Sequence, residues 1–308
     1  MAGACDWYPE AGYCMIAASV VQESVVAYLS FVTLLWAFSF SFIGVYLAGQ
    51  VDAYFMVLTR TLLALLVFLP FLRWRSLRPA LAGQLMGIGA IQLGVMYLFY
   101  YHSFLLLTVP EVLIFTIFTP LYVTLLNDLL ARRFHGKYLL TAFLAVLGAA
   151  VIRYDHLTSD YVLGFLVVQG ANLCFAFGQV GYKWLLAREK ASLPQHQVFA
   201  CFFAGATLVA GLAWWWLGSP RYPTSTLQWG LLVWLGAGAS GLGYFLWNKG
   251  ATRVNAGVLA IMNNALIPAG LLVNLMIWNH SADMLRLALG GALIFLSLFI
   301  NEHKGQMA

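Results

Sequence analysis

Arg60 carries the sharpest chemical consequence in this chain. It stands in Tyr54-Phe55-Met56-Val57-Leu58-Thr59-Arg60-Thr61-Leu62-Leu63, a run with no other charge. A guanidinium keeps its proton and offers five N–H donors in a planar fork that suits a carboxylate. At lipid depth it costs at least about 2.5 kcal/mol unless water or an acceptor meets it. One solution is a carboxylate solute in a cavity. Another is a structural pair with Asp52 or Glu111, or a side chain that reaches outward to the interface.

Glu111 follows Pro110 at the expected start of a helix. Proline fits the first turn, and an acid there complements the helix dipole. A cap is the plain reading; a protonatable group coupling solute movement to a proton gradient is the other.

Amides supply a second chemistry. Gln169, Asn172, Ala176, Gln179 and Lys183 are spaced three, four, three and four apart, which puts them on one helix face. A polar stripe in lipid must face protein, either to join helices or to wall a cavity. Gln84, Ile88, Gln92 and Phe99 share another face, with Tyr97 close by. Asn263 and Asn264 precede Pro268, and proline frees a backbone carbonyl in its helix. Trp36, near the middle of its span, offers a flat surface for stacking or for ordinary packing.

Enzyme chemistry finds little support. His102, His135, His156, His196, His280 and His303 all fall at expected loops or span ends, without metal-ligand spacing. Cys5, Cys14, Cys174 and Cys201 form no CxxC pair. No GxSxG, HExxH or phosphate-binding P-loop occurs. We therefore expect no catalytic residues, no metal and no cofactor.

The elements that position these residues follow from composition. Of 308 residues, 62% are hydrophobic and 9% charged, against about 25% charged in soluble domains. Lipid must cover much of this surface. A span needs roughly 20 apolar residues, and the runs place helices at 27–49, 53–72, 82–101, 107–130, 138–153, 161–186, 196–217, 227–248, 254–278 and 284–301. They do not alternate every second residue, so a β-barrel is excluded. Arg60 then lies about 10 Å below the outer end of its span.

Short loops make basic residues a guide to the cytoplasmic side. With a cytoplasmic N-terminus, the inside regions hold Arg73, Arg75, Arg78, Arg132, Arg133, Lys137, Lys183, Arg188, Lys190, Lys249, Arg253 and Lys304. The outside holds Arg153, Arg221 and Arg286. Both termini are expected inside. No basic run of the kind that binds nucleic acid is present. Residues 1–26 carry Asp6, Glu10 and Glu23 but no Lys or Arg, unlike a signal peptide; they are expected to be a flexible tail, with Met15 as an alternative start.

The chain repeats. Trp36-Ala37-Phe38 matches Phe175-Ala176-Phe177, Gly94-Val95-Met96-Tyr97 matches Gly241-Leu242-Gly243-Tyr244, and Pro120 matches Pro268. Five spans per copy is odd, so the second copy enters the membrane inverted, the plan of many secondary transporters. The expected fold is an all-α integral membrane protein of about ten helices in a 5+5 inverted repeat, with copies at 27–153 and 154–308.

These motifs carry a resemblance. The stretches Leu35-Trp36-Ala37-Phe38-Ser39-Phe40 to Pro120, and Tyr244-Phe245-Leu246-Trp247-Asn248 to Pro268-Ala269-Gly270-Leu271-Leu272, resemble the two EamA repeats of the drug/metabolite transporter superfamily. Trp36 to Phe42, Tyr46 to Gly49, Gln92 to Tyr97, Ile152 to Asp155 and Ile261 to Asn264 look like the YigM-type bacterial biotin transporters. That resemblance implies import of biotin across a bacterial inner membrane by alternating access. The superfamily also contains exporters, so export of amino acids, amines or other small carboxylates is the alternative. The substrate candidates are Trp36, Arg60, Gln92, Tyr97, Phe115, Asn172, Gln179, Tyr244, Asn263 and Asn264, with Glu111 as the coupling candidate. The expected partners are a small carboxylate such as biotin and the lipid bilayer, with the protein a monomer or homodimer.

Overall fold

The computed structural model describes residues 11–130, 132, 159–189, 194–254 and 256–278, with the single positions 285, 288, 289 and 292. Among the described residues there is no strand. The helices are α1 (Ala11–Phe42, continued by a π-helical turn Ile43–Leu47), α2 (Ala53–Phe68), α3 (Pro79–Leu106), α4 (Val109–Leu130), α5 (Ser159–Glu189), α6 (Phe199–Leu217), α7 (Thr226–Ala251) and α8 (Ala256–Ile277). Seven of them are long and apolar enough to cross a membrane. The expected spans at 138–153 and 284–301 lie outside the described residues, the four single positions aside. The first helix begins at Ala11, within the stretch expected to be a tail. No proline follows Pro9 there to stop it.

Helix ends are set by local chemistry. Asp52 caps α2, accepting from the Phe55 amide at 2.8 Å. Its other oxygen accepts from the amide and hydroxyl of Ser219 at 3.1 and 3.0 Å, which ties α2 to the segment after α6. Thr108, Pro110 and Glu111 form the capping box of α4, with Glu111 accepting from the Thr108 amide at 2.8 Å. Within α4, Pro120 cannot bond the Thr116 carbonyl, and a tighter turn covers Thr116–Phe118. The hydroxyl of Thr119 donates to that carbonyl instead, at 2.8 Å.

Packing follows a reciprocal pattern. α1 packs on α7 and α8, and α5 packs on α3 and α4. α2 packs on α7, α6 packs on α3, and α2 and α6 pack on each other. Small residues permit the closest crossings. A Cβ on Gly89 would overlap the Phe202 carbonyl, and one on Gly205 would overlap the Met86 carbonyl, so α3 and α6 meet backbone to backbone. A Cβ on Gly236 would press on Leu63 and on the Arg60 backbone, so α7 lies flush against α2. The outer rim is apolar: Leu34, Leu66, Leu208 and Leu272 are exposed, and Trp215 and Trp216 project at the end of α6. That distribution suits lipid, with tryptophans at an interface.

Besides Ile43–Leu47 at the end of the first span, two π-helical stretches sit mid-span, Ala90–Val95 in α3 and Trp234–Leu242 in α7. Each ends just before a site tyrosine, Tyr97 or Tyr244. A π turn rotates everything after it around the helix axis, and such bulges concentrate at functional sites.

Candidate functional site

Between these helices lies a narrow, half-open cleft with about 80 Å³ of accessible space. Trp36, Ser39, Phe40, Arg60, Tyr97, Tyr100, Thr116, Thr119, Asn172, Phe175, Tyr244, Trp247 and Asn263 are among its lining residues.

Arg60 is 2% exposed. Its Nε donates to Ser240 Oγ at 3.0 Å, Nη1 to the Tyr101 hydroxyl at 2.9 Å and Nη2 to the Tyr97 hydroxyl at 2.8 Å. The Tyr97 hydroxyl and Ser240 Oγ are 2.8 Å apart, closing the ring of polar groups. The guanidinium also lies over the Tyr97 ring, 4.3 Å from its centroid. No carboxylate lies at ion-pair distance among the described residues. Asp52 is engaged at the start of α2, and Glu111 caps α4. The structural pair with either acid is therefore not what holds Arg60. Three of the five N–H donors are used and two are left. A buried cation held only by neutral hydroxyls favours an anion beside it.

An aromatic wall continues from this charge. Tyr244 is 5.9 Å from Tyr97, Trp36 is 4.9 Å from Tyr244, and Trp247 is 4.9 Å from Trp36, all between ring centroids. Phe175 stands edge-on to Trp36 at 5.8 Å. The Trp36 indole N–H donates to the Ala239 carbonyl at 2.9 Å, which fixes the ring against α7.

Six expected site residues meet at the cleft: Trp36, Arg60, Tyr97, Asn172, Tyr244 and Asn263. Gln92, Phe115, Gln179, Asn264 and Glu111 are not among its lining residues. Gln92 is fully buried, donates to Asn248 Oδ1 at 3.2 Å and packs tightly on Gly178. The Phe115 ring packs on Tyr161 and Phe165, while its carbonyl accepts from Asn172 at 2.8 Å. Gln179 exchanges hydrogen bonds with Asn263 at 3.4 Å. The Asn264 side-chain oxygen is buried without a partner. The stripe on α5 does face protein: Gln169 accepts from Tyr122 at 3.3 Å, and Lys183 donates to the Val254 carbonyl at 3.2 Å.

Sequence reasoning missed Tyr101, Ser240, Tyr100, Trp247 and Phe175. Tyr101 was findable, one helical turn beyond Tyr97 and on the same face. Ser240 lies 180 residues from Arg60 in a run of glycine and alanine, with no local signal of its role.

Residues 24–154 match the model of the EamA-like transporter family. A probable biotin transporter of Pseudomonas aeruginosa is 58% identical over 276 residues, covering 89% of this chain and 96% of that one. The biotin transporter of Escherichia coli K12 is 52% identical over 279 residues, covering 90% and 93%. That of Salmonella typhimurium is 51% identical over the same length. The crystal structure of another protein, 18% identical, shares the fold at a TM-score of 0.64, over 92% of this chain and 98% of that one.

Proposed function

The chain belongs to the family of the bacterial biotin transporters it matches, EamA-like multi-pass membrane transporters, and from that premise we propose that it imports biotin across a bacterial inner membrane by alternating access. Biotin is a carboxylate joined by an apolar chain to a bicyclic head with a ureido group. The observation that carries the reading is Arg60, a buried guanidinium with two free donors at the edge of an aromatic-walled cleft. The carboxylate takes those two donors, and the chain and rings lie along Tyr97, Tyr244, Trp36 and Phe175.

The same cleft argues against amines and amino acids. No aspartate or glutamate lines it among the described residues, so an ammonium group would meet Arg60 with no acid to compensate.

The ten-span plan completes this reading. Exchanging α1 with α5, α2 with α6, α3 with α7 and α4 with α8 maps the main packing partners onto one another. This supports two inverted copies with a site between them; the proposed bounds, 27–153 and 154–308, and the cytoplasmic termini rest on the sequence repeat and on the basic residues of the loops. Rocking one bundle against the other would then open the cleft to each side in turn.

The test is uptake of labelled biotin at nanomolar supply by a biotin-auxotrophic strain. Expression should raise uptake well above empty vector. No gain, or protection from toxic amines with no effect on biotin, would overturn the proposal.

A further inference from the structure

The hydrogen-bond inventory of the cleft separates groups that hold the protein together from groups with capacity to spare. Asn172 Nδ2 donates to the Phe115 carbonyl and to Gln169 Oε1, so both its hydrogens are used. Asn263 Nδ2 donates to Gln179 Oε1 and the Leu259 carbonyl, with the same result. The hydroxyls of Ser39, Thr116 and Thr119 donate to backbone carbonyls of their own helices. Trp36 is held by Ala239. Two lining residues differ. The Tyr100 hydroxyl and the Trp247 indole N–H are buried with no partner, in side chains 8% and 1% exposed. A buried donor left unsatisfied is costly, and a native protein with two at one cavity is suited to a ligand that supplies acceptors.

We infer that the Trp247 indole N–H is the specificity-determining donor of this cleft, reading a carbonyl-type acceptor on the uncharged head of the substrate while Arg60 takes its carboxylate; Tyr100, between Tyr97 and Tyr101 on α3, belongs to the cation's end. The aromatic series from Tyr97 through Tyr244 and Trp36 separates Trp247 from the cation. The site is thus two-ended, with an anion at one end and a neutral acceptor at the other. This differs from an amide-based reading of the head group, because the amide hydrogens of Asn172 and Asn263 are already engaged inside the protein. The inference rests on the import reading above and names, for biotin, the ureido oxygen as the acceptor.

The test compares biotin with 2-thiobiotin, in which sulfur, a poorer acceptor, replaces the ureido oxygen. Both compete for labelled biotin uptake in cells expressing the wild type or Trp247→Phe. The wild type should prefer biotin, and this comparison decides even where Trp247→Phe fails to accumulate. Trp247→Phe should raise the half-saturation concentration for biotin about fivefold, the size of one net hydrogen bond, while the concentration of 2-thiobiotin needed for half-inhibition stays nearly unchanged. A wild type that takes up biotin but does not discriminate, or a Trp247→Phe variant that discriminates as well as wild type, would overturn the assignment alone. A wild type with no biotin uptake would remove the import reading and this assignment together.

Discussion

Arg60 and Tyr97 touch in two ways at once: Nη2 donates to the Tyr97 hydroxyl at 2.8 Å, and the guanidinium carbon lies 4.3 Å from the centroid of the same ring. The contact fixes the plane of the cation as well as its position. Both features depend on a delocalised planar group, which an ammonium does not provide.

Arg60→Lys should therefore keep the charge but lose the fork, and Arg60→Ala should lose both. A charged hydrogen bond contributes about 1.5–3 kcal/mol, so the alanine variant should raise the half-saturation concentration for biotin roughly a hundredfold and the lysine variant roughly tenfold. Concentration-dependent uptake at matched membrane levels measures this. Wild-type transport by the alanine variant would place Arg60 outside the site.

Tyr101→Phe leaves Nη1 of Arg60 with one partner fewer in a buried setting. The expected cost is about 1–3 kcal/mol, read as a lower melting temperature of the detergent-purified protein. Saturating biotin should recover more of that loss than it adds to the wild type, because its carboxylate offers the missing acceptor. Equal stabilisation of both proteins would contradict this.

Gly236 lets α7 lie against α2 beside Arg60, which puts Ser240 within reach of Nε. Gly236→Val inserts bulk at that crossing, an overpacking change of typically 1–3 kcal/mol. It should reduce uptake severalfold in protein that still reaches the membrane. Unchanged uptake would show that the Arg60–Ser240 distance of 3.0 Å is not needed.

Glu111 holds the first turn of α4 through Thr108. Glutamine fills the same capping role, so Glu111→Gln should keep most of the uptake and its response to an uncoupler. Glu111→Ala should lose about 1 kcal/mol of stability through the missing cap. Abolished uptake in the glutamine variant, with normal protein levels, would instead make Glu111 the protonatable coupling group.

Much of this protein was legible in its residues. Apolar runs of about 20 residues have one stable outcome in lipid, a helix that satisfies its own backbone, and seven expected spans match described helices to within about five residues, whereas the first helix begins at Ala11, well before its expected start at residue 27. A guanidinium within such a run must be met by something, which singles out Arg60 from the sequence alone. The stripe on α5 had to face protein for the same reason. What met Arg60, and which polar groups were left over, only the tertiary structure decided. Those outcomes depend on how helices distant in sequence cross. Glycines such as Gly89, Gly205 and Gly236 set how closely they approach, and the π turns of α3 and α7 break the 3.6-residue rhythm on which facing arguments rely. Ser240 was therefore invisible as a partner of Arg60, and Asn172 and Asn263 had their amide hydrogens taken by the protein, leaving Tyr100 and Trp247 with donors unused.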